Sequence, residues 1–191
     1  ETFDVKYMME ESSSSAEKAQ KQDLAYTGKG IGMHTDNPYR YPTPDFQLLH
    51  AIEHCSCDTS APSYTSTHNC DECRTTNYFV DGLAIADRMA TETPDLFDVL
   101  TTTNVRFEND GGGGASSLYH LAPILELSKE YQMQNCAGAS CVGAIRFSSK
   151  SGGYVPVNTK DIGKFYTARR KFSELAHEPE GLRMSLQLRP G

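Results

Sequence analysis

His34 and Asp36 are separated by a single residue, Thr35. On extended backbone side chains alternate with a period of two, so an imidazole and a carboxylate at this spacing project to the same side and can grip one face of a metal ion. With a second, distant His the pair would make the two-His, one-carboxylate facial triad of non-haem Fe(II) oxygenases, which leaves positions open for cosubstrate and oxygen. Alone the tripeptide is a weak signal, because such pairs are common by chance. A second set of metal-ligating residues is Cys55-Ser56-Cys57 followed by Cys70-Asp71-Glu72-Cys73, with His54 and His68 nearby. Four thiolates so spaced can close a tetrahedral zinc site, although local disulfides or ordinary thiols would use the same residues. A polar excursion of this kind has little apolar surface with which to fix itself, and a metal would supply the ordering free energy.

The rest of the composition bounds what these residues can serve. A chain of 191 residues is long enough for one sizeable core, and 23% charged with 38% hydrophobic residues is ordinary for a globular domain. The net charge of -7 argues against nucleic acid, and the densest basic run, Arg169-Arg170-Lys171, is expected on a solvated helix face. No apolar run approaches the length needed to span a bilayer, so no membrane partner is expected, and no signal peptide begins the chain. Glu1-Thr2-Phe3-Asp4 opens without Met in a strand-like pattern, which reads as a cut rather than a native start. Clustering of four of the six cysteines favours a reducing compartment, cytoplasmic or mitochondrial, and a hairpin disulfide between Cys136 and Cys141 is not expected there.

Positioning elements can be read from pattern. Glu10–Gln22 has linker composition, and Asp23–Thr27 and Phe46–Ile52 read as short strands flanking the Pro-rich turn Asn37–Pro44. Regular structure resumes at Asn77-Tyr78-Phe79-Val80, then a helix over Gly82–Thr91 and a second from Thr93-Pro94-Asp95 to about Leu100. Val105–Phe107, Leu118–Leu127 and Ala144–Phe147 alternate as strands. Asn109–Gly114 lacks the spacing of a phosphate-cradling loop and reads as a hairpin turn. Lys160–His177 is the clearest helix, with Ile162, Phe165, Tyr166, Phe172 and Leu175 on or near one face, and Leu182–Leu188 reads as a final strand.

The blocks Asp23-Leu24-Ala25-Tyr26-Thr27, His34-Thr35-Asp36-Asn37-Pro38-Tyr39-Arg40, Phe46-Gln47-Leu48-Leu49-His50 and Asn77-Tyr78-Phe79-Val80-Asp81-Gly82, in this order and spacing, resemble one oxygenase branch. It is the gamma-butyrobetaine and trimethyllysine dioxygenase branch of the taurine dioxygenase superfamily. The similarity continues through Phe165–Leu175 and Arg189-Pro190-Gly191, and so covers nearly the whole chain from Thr2. It implies a mainly β fold with helices, a distorted double-stranded β-helix or jelly roll, incomplete at the C-terminus. Residues 1–191 would then be a partial oxygenase catalytic domain with a Cys-rich insertion at 53–76.

The resemblance also implies roles. His34 and Asp36 would hold Fe(II), and Asn77 and Leu49 would face the cosubstrate 2-oxoglutarate, Asn77 standing where the superfamily has a hydroxyl residue. Tyr26 matches an aromatic residue that holds a trimethylammonium group by cation–π attraction, although a core tyrosine fits the same position. Asp23 follows the trimethyllysine enzymes, where the butyrobetaine enzymes carry Asn. Asn37 replaces a Tyr of the butyrobetaine aromatic cage, and Lys150 falls near an Asn that binds the substrate carboxylate, where a cation could pair with an anionic group.

The implied activity is hydroxylation of a small metabolite of gamma-butyrobetaine or trimethyllysine type, as in carnitine biosynthesis, with that substrate and O2 as partners. A homodimer is compatible with it. In the family, a turn like Arg189-Pro190-Gly191 leads to the second iron His and then to an Arg for 2-oxoglutarate, neither of which this sequence contains. His177 lies at a helix exit instead. The expectation is that a natural continuation supplies both residues, and that residues 1–191 alone retain iron weakly and do not turn over. The alternatives are a degenerate family member, or a non-catalytic zinc-stabilised β-domain, serving a structural or partner-binding role.

Overall fold

The computed structural model describes residues 30–50, 76–109, 117–128, 138–178 and 181–188. The expected linker at Glu10–Gln22, the strand at Asp23–Thr27 with Asp23 and Tyr26, the cysteines at 55, 57, 70, 73 and 136, and the turn at Arg189–Gly191 lie outside them.

The first described strand, β1 (Asn77–Val80), pairs antiparallel with the last, β6 (Arg183–Leu186), in the register Asn77↔Leu186 to Val80↔Arg183. Helix α1 (Gly82–Glu92) starts immediately afterwards because the Asp81 carboxylate accepts from the Leu83 and Ala84 amides, both at 3.0 Å. A side chain at Gly82 would meet Ile145 Cδ1 at 2.7 Å, so the absence of one lets the helix start close against the sheet. Thr93 then ends α1, donating its amide to the Met89 carbonyl, and precedes Pro94 at the head of α2 (Pro94–Thr102). Its hydroxyl also turns back to the Met89 carbonyl, so α2 begins on the proline without a side-chain cap.

Strand β2 (Asn104–Asn109) forms an antiparallel hairpin with β3 (Leu118–Pro123), as the Gly-rich turn between them predicts. The expected single strand over Leu118–Leu127 is instead two. Pro123, which has no amide to donate, closes β3, and β4 (Leu125–Leu127) pairs with β5 (Val142–Ile145) across a bulge at Glu126/Leu127. The β5 strand thus starts and ends earlier than expected, while Arg146 carries the pairing one residue further through its amide to the Ile124 carbonyl, at 2.8 Å. Residues 151–154 run along the free edge of β2, with the Arg106 amide donating to the Tyr154 carbonyl at 2.8 Å and the Glu108 amide to the Ser151 carbonyl at 2.9 Å.

Helix α3 (Thr159–His177) buries Phe165, Ala168, Phe172, Leu175 and Ala176, a stripe at helical spacing. The stripe packs with Ile85, Met89 and Leu100 of the first two helices, with Val105, Phe107 and Leu125 of the strands, and with Ile124 between β3 and β4, into one core. Phe172 meets Phe147 at a ring separation of 4.9 Å. Arg88 bridges α1 to the end of α3 by reaching Glu178 at 2.5 Å as well as Glu92 at 2.7 Å; at this exposed position the pairs are screened and contribute little.

Several expectations are corrected. Phe46–His50 forms no strand: Phe46 and Leu48 are 90% and 97% exposed, and no described strand lies beside them. Tyr166, expected with the buried stripe, is half exposed and lies edge-on to Phe165. Met184 and Leu186, whose alternation suggested a buried face, are exposed on a sheet of only two strands. Cys141 is disulfide-bonded and buried, against the expectation drawn from compartment, and every other cysteine lies outside the described residues. Mixed with the helices, the described strands make three two-stranded antiparallel sheets. Among the described residues no helix is long and apolar enough to cross a membrane.

Candidate metal centre

Residues 30–36 lie in no strand, so the extended backbone considered for His34 and Asp36 is here a segment fixed at a few points. Thr35 provides the main one. Its amide donates to the Phe147 carbonyl at 2.7 Å and its hydroxyl oxygen accepts from the Phe147 amide at 2.9 Å, so the residue between the two candidate ligands is clamped to the chain just beyond β5. Pro38 is buried, Met33 and Tyr39 pack against the core, and Tyr41 stacks on His120 of β3 at 5.2 Å with the rings 26° apart. The turn after Asp36 is made by Asn37, whose φ of 52° is left-handed, a region Asn enters more readily than most residues. Its side-chain oxygen accepts from the Tyr39 hydroxyl at 2.7 Å and its carbonyl from the Arg40 amide at 3.0 Å.

Held in this way, His34 and Asp36 converge, with Nε2 and Oδ1 3.2 Å apart. Two donors bonded to one first-row metal at about 2.1 Å and at right angles would stand about 3.0 Å apart, so the spacing fits neighbouring ligand positions. The orientation of the ring fits as well. His34 Nδ1 lies 2.8 Å from the Gly32 carbonyl, a backbone acceptor, which leaves Nε2 as the ring atom that faces Asp36. Asp36 is held by its other oxygen, Oδ2, which accepts from the Gln47 side-chain amide. Both side chains remain partly open to solvent, at 35% and 47% exposure, so a metal can enter.

His34 and Asp36 are the two candidate ligands brought together here. No group of three or more His, Cys, Asp or Glu side chains with metal-binding geometry occurs among the described residues.

The other expected site residues are placed as follows. Asn77 is half-buried at the start of β1, opposite Leu186, with no hydrogen bond to His34 or Asp36. Leu49 is half exposed two residues from Gln47, Asn37 is engaged in its turn, and Lys150 is exposed beyond β5. His177 accounts for itself locally, with Nδ1 2.7 Å from the Ser173 carbonyl one turn back in α3.

Sequence reading misses three participants: Thr35, taken only as a spacer, Gln47, and the Gly32 carbonyl. No composition or spacing signal marks them, because each acts through a tertiary or backbone contact. It also misses Arg146, which is only 2% exposed and is ion-paired through Nη1 with Glu126. The ionisation of nearby His120 is pushed below its ordinary value, by burial first and then by the Arg146 charge, with Glu126 opposing.

The family described as "Taurine catabolism dioxygenase TauD, TfdA family" matches residues 1–191. The chain is similar to the gamma-butyrobetaine dioxygenase of Pseudomonas sp. (strain AK-1), 26% identical over 162 residues, covering 85% of this chain and 35% of that protein. It is similar to dioxygenase str8 of Strobilurus tenacellus at 27% over 161 residues, 83% of this chain and 31% of that one. The gamma-butyrobetaine dioxygenase of Homo sapiens matches at 25% over 177 residues, 92% of this chain and 39% of that one. The chain therefore spans about a third of the length of these curated relatives.

Proposed function

We propose a function from one premise: this chain belongs to the TauD, TfdA family of taurine catabolism dioxygenases. It is the part of an oxygenase domain that provides the first imidazole and the carboxylate of an Fe(II) site, on a fold of jelly-roll type. The substrate is a small metabolite carrying a trimethylammonium group, a reading supported by the likeness to two gamma-butyrobetaine dioxygenases. The observation that carries the proposal is the convergence of His34 Nε2 and Asp36 Oδ1 at 3.2 Å, with His34 Nδ1 turned to the Gly32 carbonyl.

Bound Fe(II) with 2-oxoglutarate and O2 would supply oxidative hydroxylation of a substrate C–H bond, the cosubstrate leaving as succinate and CO2. The residues of this chain do the positioning. With a metal on Nε2, the His34 Nδ1 proton would be held by the Gly32 carbonyl, which orients the ring. Gln47 occupies Asp36 Oδ2, which turns Oδ1 toward the same point. Thr35 fixes the distance between the two by tying their shared backbone to Phe147. Phe46, Leu48 and Leu49, exposed on either side of Gln47, are an apolar rim that bound substrate would cover, excluding water from the reacting face. Asn77 and Leu49 are assigned to the cosubstrate side. Asp23, Tyr26, Asn37 and Lys150 are assigned to the substrate, Lys150 to an anionic end.

The test is succinate release by the full-length protein supplied with Fe(II), 2-oxoglutarate and either gamma-butyrobetaine or trimethyllysine. Stimulation by a trimethylammonium substrate, lost in His34→Ala and in Asp36→Asn, is the expected result. Turnover that survives both substitutions would remove the metal assignment, and no stimulation by either compound would remove the substrate class.

A further inference from the structure

A small cavity opens between α3 and the strands of the core, lined on one side by Arg146 and Ser148 and on the other by Phe165, Tyr166 and Arg169. Its volume is about 40 Å³, and Arg146, Ser148, Gly152, Tyr166 and Arg169 contribute to its lining. One water needs roughly 10–15 Å³ on this measure, so the space suits a halide or a formate and is too small for a dicarboxylate.

The arginines that line it are only partly matched by acceptors among the described residues. Arg146 is 2% exposed, and although its Nη1 meets Glu126, its Nε–H is buried with no hydrogen-bond partner. A buried, unpaired donor on a charged group is costly, and native structures seldom leave one. The Ser148 hydroxyl oxygen accepts from the Ser151 amide at 3.1 Å, which leaves its hydrogen to donate. Arg169 reaches in from α3 with its guanidinium 5.8 Å from the Phe147 ring, and no carboxylate is within ion-pair distance of it among the described residues.

Charge points the same way. Arg106 and Glu108 on the adjoining β2 strand neutralise each other at 2.9 Å, so the surroundings hold the Arg146 and Arg169 cations against Glu126 alone. The surplus is one positive charge, which a neutral water would leave standing. Gly152 lets its segment pass close to Ser148, since a Cβ there would meet the Ser148 carbonyl at 2.8 Å.

We propose that this cavity binds one small monovalent anion, of halide or formate size, held by Arg146, Arg169 and Ser148. The proposal does not depend on the metal assignment.

The test uses the full-length protein. At matched ionic strength, chloride, bromide and formate raise the melting temperature saturably, whereas sulfate, too large for the space, does not. A bromide-soaked crystal shows an anomalous peak between Arg146 and Arg169. Arg146→Gln would also strip Glu126 of its partner and endanger the fold, so Arg169→Gln, which breaks no ion pair, decides. It weakens anion binding about tenfold while melting normally without the anion. Equal anion response in wild type and Arg169→Gln, equal stabilisation by sulfate, or bromide found only at other sites would each overturn the proposal.

Discussion

Gln47→Ala is the perturbation that probes the positioning argument most selectively. Gln47 is exposed, lies in no helix or strand, and donates its side-chain amide to Asp36 Oδ2, so removing it should leave stability within about 0.5 kcal/mol of wild type. The loss falls on the carboxylate. A hydrogen bond to a charged group contributes about 1.5–3 kcal/mol, and at 47% exposure Asp36 can recover part of that from water, which leaves about 1–1.5 kcal/mol. Since 1.4 kcal/mol is a factor of ten, divalent-metal affinity should weaken about five- to tenfold, at the lower end of what loss of an outer partner costs a metal site. Mn(II), which resists oxidation, can be titrated into the full-length protein and its free fraction followed by electron paramagnetic resonance. Asp36→Asn in parallel fixes the response to full loss of the ligand. An unchanged dissociation constant in Gln47→Ala, beside strong weakening in Asp36→Asn, would refute the idea that Gln47 orients the carboxylate.

Other substitutions test other contacts. Thr35→Val keeps the shape but leaves the Phe147 amide without its acceptor; it should cost about 1–3 kcal/mol in urea unfolding and weaken metal binding as well, and a variant as stable as wild type would contradict the clamp. His120 is held below its ordinary ionisation, so above about pH 6.5 it has no effect, and as pH falls the unfolded chain takes up the proton first and stability is lost; His120→Gln should flatten that acid limb, and an unaltered slope would count against it. Cys141 should be recovered cross-linked in peptide maps made without reductant, and recovery as an alkylated monothiol would show that the bridge is absent.

The helices were legible because their stripes are local. Ile85 and Met89 of α1, and Phe165, Phe172 and Leu175 of α3, sit at spacings that only a helix gathers onto one face. Strands were less so, since an apolar run such as Phe46–Ile52 becomes a strand only if a partner lies alongside, and nothing local records whether one does. The convergence of His34 and Asp36 was foreseen, but for an incomplete reason. Period-two alternation suggested it, whereas the geometry rests on Thr35, 112 residues away in sequence from Phe147. Arg146 was invisible for the same cause: a buried guanidinium is tolerable only because Glu126 comes to meet it across the β4–β5 pair.

The central claim is that His34 Nε2 and Asp36 Oδ1 are ligands to one metal ion. Anaerobic crystals of the full-length protein grown with Fe(II), measured on both sides of the iron absorption edge, test it most directly. An iron peak about 2.1 Å from both atoms, with Gln47 still on Asp36 Oδ2, is the predicted result. A structure in which iron binds elsewhere while His34 and Asp36 remain closed on each other as a simple ion pair would contradict it.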